Sequence, residues 1–131
     1  MIIGVGIDLV SVKRIEALAG RYGKRFLERV YSPGELAEAP AGPRRRAEHL
    51  AARFAVKEAA FKALGTGRGA GIRWTDVSIG KDPAGGPSLI LEGSFRMLAR
   101  GRGAGGGLVS LSHEAGWAVA CVVLVGGEMR E

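Results

Sequence analysis

The chain is poor in cysteine, in aromatic residues and in long apolar runs. Of 131 residues only Cys121 is a cysteine, so no internal disulfide framework is available and a reducing compartment is expected. Its two histidines, His49 and His113, share no ligand spacing with that cysteine, which argues against a zinc site. Aromatic residues make up 6% of the chain, and no aromatic motif of an RNA-binding sheet accompanies them. No apolar stretch approaches the ~18 residues of a membrane-spanning helix. The opening MIIGVGIDLV has no basic stretch before it and is interrupted by an acidic residue, unlike a secretory signal. Five prolines and no three-residue glycine period exclude a collagen-like chain. A cytoplasmic protein that neither spans nor enters membranes is expected, with the length of one domain over residues 1–131.

Glycine and positive charge are plentiful. There are 22 glycines, more than twice the usual share of about 7%, and the formal net charge is +6. The charge is localised. Residues 10–62 carry twelve Lys/Arg against six Asp/Glu, whereas the rest of the chain carries seven of each. A basic surface confined to one half implies a polyanionic partner. On composition alone, nucleic acid competes here with a phosphate-rich ligand, an acidic protein or a plain solvated face.

The hydrophobic pattern predicts an initial buried strand over residues 2–10. Ser11 is placed to cap a helix over 12–30, with Ile15, Leu18, Tyr22, Phe26 and Val30 as its apolar stripe. Ser32, Pro33 and Glu35 read as a capping box that starts a short helix, and 39–43 reads as a loop. The longest helix covers 45–64. Strands at 76–81 and 88–92, a helix over 93–100, a glycine tract at 101–107 and strands at 108–113 and 117–125 complete the order. That order predicts an α+β fold with a mostly antiparallel sheet packed against a long central helix.

Several residues break the local pattern. Asp8 places a carboxylate in an apolar strand, which is costly unless it is paired, hydrogen-bonded or metal-bound; a cap, an arginine partner and a hard cation all satisfy it. On a wheel of about 100° per residue, Glu58 and Lys62 share an edge of the long helix, at about 80° and 120° from Leu50, while Lys57 falls inside the apolar stripe. Lys57 therefore needs either a snorkelling path or a buried partner. An i,i+4 Glu–Lys pair is ordinarily only a surface ion pair. Next to Asp8 and the glycine-rich loop 65–71, however, the pair supplies the ingredients of a site holding Mg²⁺ with a phosphorylated ligand. That loop follows a helix, whereas phosphate loops of the Walker and dinucleotide-binding types precede one, so it matches neither.

Taken together, Gly6–Val10 (GIDLV), Arg14–Glu16 (RIE), Arg25–Glu35 (RFLERVYSPGE), Arg53–Gly67 (RFAVKEAAFKALGTG) and Ser110–Glu114 (SLSHE) resemble the bacterial holo-[acyl-carrier-protein] synthases. These are short 4′-phosphopantetheinyl transferases, and the likeness runs from about residue 2 to 125. The resemblance implies transfer of the 4′-phosphopantetheine arm from coenzyme A to a serine of apo-acyl carrier protein, leaving adenosine 3′,5′-bisphosphate, in support of fatty acid or polyketide biosynthesis. It implies that Asp8 and Glu58 hold Mg²⁺, with Mn²⁺ as an alternative, and that Glu58 takes the serine proton directly or through a metal-bound water. Lys62 would act in catalysis at the phosphates. Lys57, Gly65, Thr66, Gly67, Ser112 and His113 would join Lys62 in binding coenzyme A. Arg14, Arg21, Lys24, Arg25 and Arg29 would receive the acidic carrier protein, while Arg44–Arg46 would serve either the carrier or the adenosine 3′-phosphate. The family's homotrimeric assembly implies sites at subunit interfaces and leaves nucleic acid without a role. A member that keeps only carrier binding, without activity, is disfavoured by the intact Asp8, Glu58 and Lys62.

Overall fold

The computed structural model describes residues 1–65, 69 and 71–127. The first strand, β1 (Ile2–Ser11), has the period-two pattern of a half-buried strand. Val10 and Gly6 are buried, whereas Val5, Ile7 and Leu9 on the other face are exposed. Ser11 then caps α1 (Val12–Tyr22), its hydroxyl accepting from the Arg14 N–H. The helix expected over 12–30 is not continuous. It breaks at Gly23, whose φ is +55°, and resumes as α2 (Lys24–Val30). The break takes Tyr22 off the apolar stripe and leaves it exposed, while Ile15 and Val30 stay in the core. The capping box at Ser32 and Glu35 starts α3 (Pro33–Glu38) as expected.

The central helix, α4 (Pro43–Leu64), has 22 residues and is about 33 Å long at 1.5 Å per residue. Alanines at 51, 52, 55, 59, 60 and 63 line its buried surface, so strands can lie unusually close to it. β1 exploits this directly: a Cβ on Gly6 would collide with the Ala59 carbonyl, and one on Gly4 with the Ala63 carbonyl. Glycine in the GID segment is therefore a packing requirement. After a 3-10 turn at Trp74–Asp76 come the hairpin strands β2 (Val77–Lys81) and β3 (Pro87–Leu91), then α5 (Gly93–Gly101), β4 (Ala104–Glu114) and β5 (Trp117–Gly126).

The main sheet has the antiparallel order β1-β5-β4, and β2-β3 form a separate two-stranded sheet. The tract at 101–107 was expected outside any strand, but β4 begins within it and Gly106 and Gly107 pair with β5. Gly107 is where Leu89 of β3 crosses the sheet: an added Cβ would stand 2.6 Å from the Leu89 Cδ2. Four of the aromatics gather where α4 meets the 3-10 turn and α5. Phe54 stacks on Trp74 at 4.9 Å, and Phe61 lies 5.2 Å from Trp74 and 6.1 Å from Phe95.

Candidate active site

The close approach of β1 to α4 creates the site. Gly4, Gly6, Asp8 and Val10 alternate onto the helix side of β1, so Asp8 continues the row that packs on Ala63 and Ala59. Its carboxylate meets Lys62, which lies 54 residues away in sequence. The Lys62 Nζ stands 2.9 Å from Asp8 Oδ1 and donates to the Ile7 carbonyl at 3.1 Å. Glu58 lies one helical turn before Lys62 on the same edge of α4, partly exposed, as their i,i+4 spacing requires. The fold thus brings Asp8, Glu58 and Lys62 to one seam. Among the described residues no group of three or more His, Cys, Asp or Glu could hold a metal. Two oxygen ligands at a partly wetted seam suit a hard cation that completes its shell with water and phosphate oxygens.

Lys57 has a different place. Its side chain is 1% exposed and turns into the core, where Nζ bonds Glu35 Oε1 at 2.9 Å, the Trp74 carbonyl at 3.2 Å and the Val77 carbonyl at 2.6 Å. Burial pushes its pKa down while the Glu35 carboxylate pulls it back up. The expectation that Lys57 reaches inward to a cofactor is corrected accordingly: its three donors are directed at α3, the 3-10 turn and β2. Glu35, legible only as a capping residue, is the buried partner that the stripe position called for. Its Oε1 also accepts from the Ser32 N–H, so one carboxylate caps α3 and anchors α4.

Gly65 follows α4 in the left-handed conformation, φ +86°, at the start of the loop expected to line the coenzyme. Thr66 and Gly67 lie outside the described residues. Ser112 and His113 sit near the end of β4, away from the seam. Ser112 pairs through Val119 with Leu9 and so shares the sheet face opposite Asp8. His113 is half exposed, with Nδ1 3.8 Å from Glu48 Oε2. Glu48 precedes Glu58 by ten residues, about 15 Å along the helix axis. Within one chain, then, the two groups are not brought together.

The basic residues Arg14, Arg21, Lys24, Arg25 and Arg29 are all exposed on α1 and α2. Arg14 stacks over Phe54 at 5.4 Å and Arg21 over Tyr22 at 5.3 Å, which holds two of the charges in place. Beside them an apolar cleft of about 240 Å³ opens between α1, α2 and α4, lined by Ile15, Ala19, Leu27, Arg46 and Leu50 among others.

Comparison with known proteins gives this arrangement a family. Residues 4–122 match the model of the 4′-phosphopantetheinyl transferase superfamily. The holo-[acyl-carrier-protein] synthase of Acidithiobacillus ferrooxidans is 46% identical over 128 residues, 97% of this chain and 99% of that protein. The crystal structure of the Neisseria meningitidis holo-[acyl-carrier-protein] synthase superposes with a TM-score of 0.85 at 35% identity, covering 95% of this chain and 99% of the other. That of the Helicobacter pylori enzyme in complex with coenzyme A gives 0.79 at 35% identity, covering 92% and 99%. The chain belongs to the holo-[acyl-carrier-protein] synthases of the 4′-phosphopantetheinyl transferase superfamily.

Proposed function

We propose that the protein transfers 4′-phosphopantetheine from coenzyme A to the serine of an apo-acyl carrier protein, as the names of its relatives and the coenzyme A bound to the Helicobacter pylori structure suggest. The observation that carries the reading is the seam at which Lys62 meets Asp8 one turn from Glu58. The serine oxygen bonds to the phosphorus that bears the pantetheine arm. The phosphoanhydride bond breaks, and adenosine 3′,5′-bisphosphate departs with the electron pair. Glu58 is the base that accepts the serine proton, and Lys62 is the point charge that offsets the charge gathering on the phosphates. Asp8 and Glu58 would hold Mg²⁺, which when bound orients and neutralises the pyrophosphate. The exposed arginines of α1 and α2 steer the acidic carrier to the seam. A cytoplasmic location, where coenzyme A and carrier are present, goes with this reading; no helix among the described residues is long and apolar enough to cross a membrane.

The assembly proposed is a homotrimer. The outer face of the main sheet exposes Val5, Ile7, Leu9, Leu108 and Trp117, each at 50% or more. They are continuous through register with Val119, Cys121 and Val123. So broad an apolar face on a soluble chain calls for a cover, and further copies of the chain provide one. Because Ser112 lies on that face, such packing presents it to a neighbour's seam. This is how Ser112 joins the coenzyme site despite its distance within one chain, whereas His113 faces the helix side beside Glu48.

The test is to incubate the protein with coenzyme A, Mg²⁺ and an apo carrier protein and to weigh the carrier. A gain of about 340 Da, the mass of the transferred arm in the proposed reaction class, that disappears on chelation supports the proposal. An unchanged carrier mass across fatty-acid and polyketide carriers refutes it.

A further inference from the structure

The Lys62 ammonium has two claims on it. The proposed reaction needs it at the phosphates, yet it is bonded to Asp8 Oδ1 at 2.9 Å and to the Ile7 carbonyl at 3.1 Å. A divalent cation at Asp8 would need the same carboxylate. An ammonium and a divalent ion on one carboxylate oxygen would stand about 4 Å apart, where two cations repel strongly. The two partners differ in freedom. The Asp8 side chain is 14% exposed and fixed on a strand packed against α4, while that of Lys62 is 54% exposed on a flexible four-carbon stem. Lys62 is the group that can move.

We propose that Lys62 and the divalent cation compete for Asp8, so that cation binding releases Lys62 from the seam and makes it available to the coenzyme's phosphates. The inference rests on the assignment of Asp8 and Glu58 as cation ligands. It adds an order of events: the cation binds first, and the phosphate-binding charge is delivered second. Lys62 guards the Asp8 carboxylate until then and offsets its charge. By linkage, the cation weakens the Lys62–Asp8 contact by the same factor by which that contact weakens the cation.

Mn²⁺ binding followed by electron paramagnetic resonance, on the full-length protein without coenzyme A, tests the competition. Lys62→Met should bind Mn²⁺ on the order of tenfold more tightly than wild type. In a lysine ¹³Cε spectrum of the wild type, the Lys62 resonance, identified by its loss in Lys62→Met, should shift as Mg²⁺ is added. Unchanged or weaker Mn²⁺ affinity in Lys62→Met overturns the proposal. So does tighter binding with a stationary Lys62 resonance, which would mean that repulsion acts at a distance and the lysine never leaves. Asp8→Asn and Glu58→Gln separate the two levels. If both bind Mn²⁺ as wild type does, the cation site itself is misassigned; if both lose it while Lys62→Met behaves as wild type, only the competition fails.

Discussion

Gly6 and Asp8 show how single residues set this site. Gly6 lets β1 approach until the Ala59 backbone fills the space of a side chain, and Asp8 two residues later is thereby held within reach of Lys62. Gly6→Ala should destabilise the protein by about 3 kcal/mol, at the upper end for overpacking, and lower transfer activity with it; urea unfolding measures the first. Asp8 was legible in the sequence as an anomaly, because a charge in an apolar strand is conspicuous. Lys62 was legible as a member of the same site, but the ion pair between them was not, since no local pattern links positions 54 apart. His49, partly buried and close to Arg53, has its pKa pushed below 6.5, mainly by burial. The fold therefore favours its neutral form. As pH falls below about 6.5 the unfolded chain takes up this proton before the folded one does, so stability declines with pH until the lowered folded value is passed. Thermal midpoints between pH 7.5 and 5.5 should fall less in His49→Gln than in wild type.

At the scale of elements, what the sequence made legible was local. The capping box of α3, the span of α4 and the final hairpin all rest on residues a few positions apart, and they appear as expected. Two readings failed where tertiary packing overrode local pattern. The stripe from Ile15 to Val30 fits one continuous helix, but Gly23 turns the chain and directs α2 along another line. The glycines near 104–107 look like a loop, yet they pair with β5 so that the Leu89 side chain can cross above them. Lys57 joins three elements at once, and its buried pair with Glu35 holds α3 against α4 and β2. Removing one partner of such a pair leaves the other charged and dry. Lys57→Met should therefore cost about 3–5 kcal/mol. Adding Glu35→Gln should recover part of that loss in chemical denaturation, since the glutamine still reaches the Ser32 N–H. A single variant as stable as wild type would show that the pair contributes nothing.

At the scale of the whole molecule, the chain has two characters. One side exposes arginines beside an apolar cleft, assigned in the proposal to the acidic carrier, and the other exposes an apolar sheet face that the proposed trimer would cover. The charge asymmetry was visible in the sequence as the excess confined to 10–62. The sheet face was not, because exposed and buried strand positions are both apolar here and alternation fails to separate them. Leu108→Glu, on the edge strand β4 and the most exposed apolar residue of that face, should convert the proposed trimer to monomers in sedimentation velocity, with secondary structure retained. A variant that still sediments as wild type would remove this face from the interface.

Whether the seam of Asp8, Glu58 and Lys62 carries out phosphopantetheine transfer is read from the intact mass of one apo carrier protein. It is incubated with coenzyme A and Mg²⁺ and either the wild type or Glu58→Gln. The wild type should convert the carrier to a species about 340 Da heavier, by the arm's formula for this reaction class. Glu58→Gln, with wild-type circular dichroism and thermal midpoint, should leave it at its apo mass over the same interval. Conversion by Glu58→Gln at the wild-type rate would remove Glu58 from the chemistry.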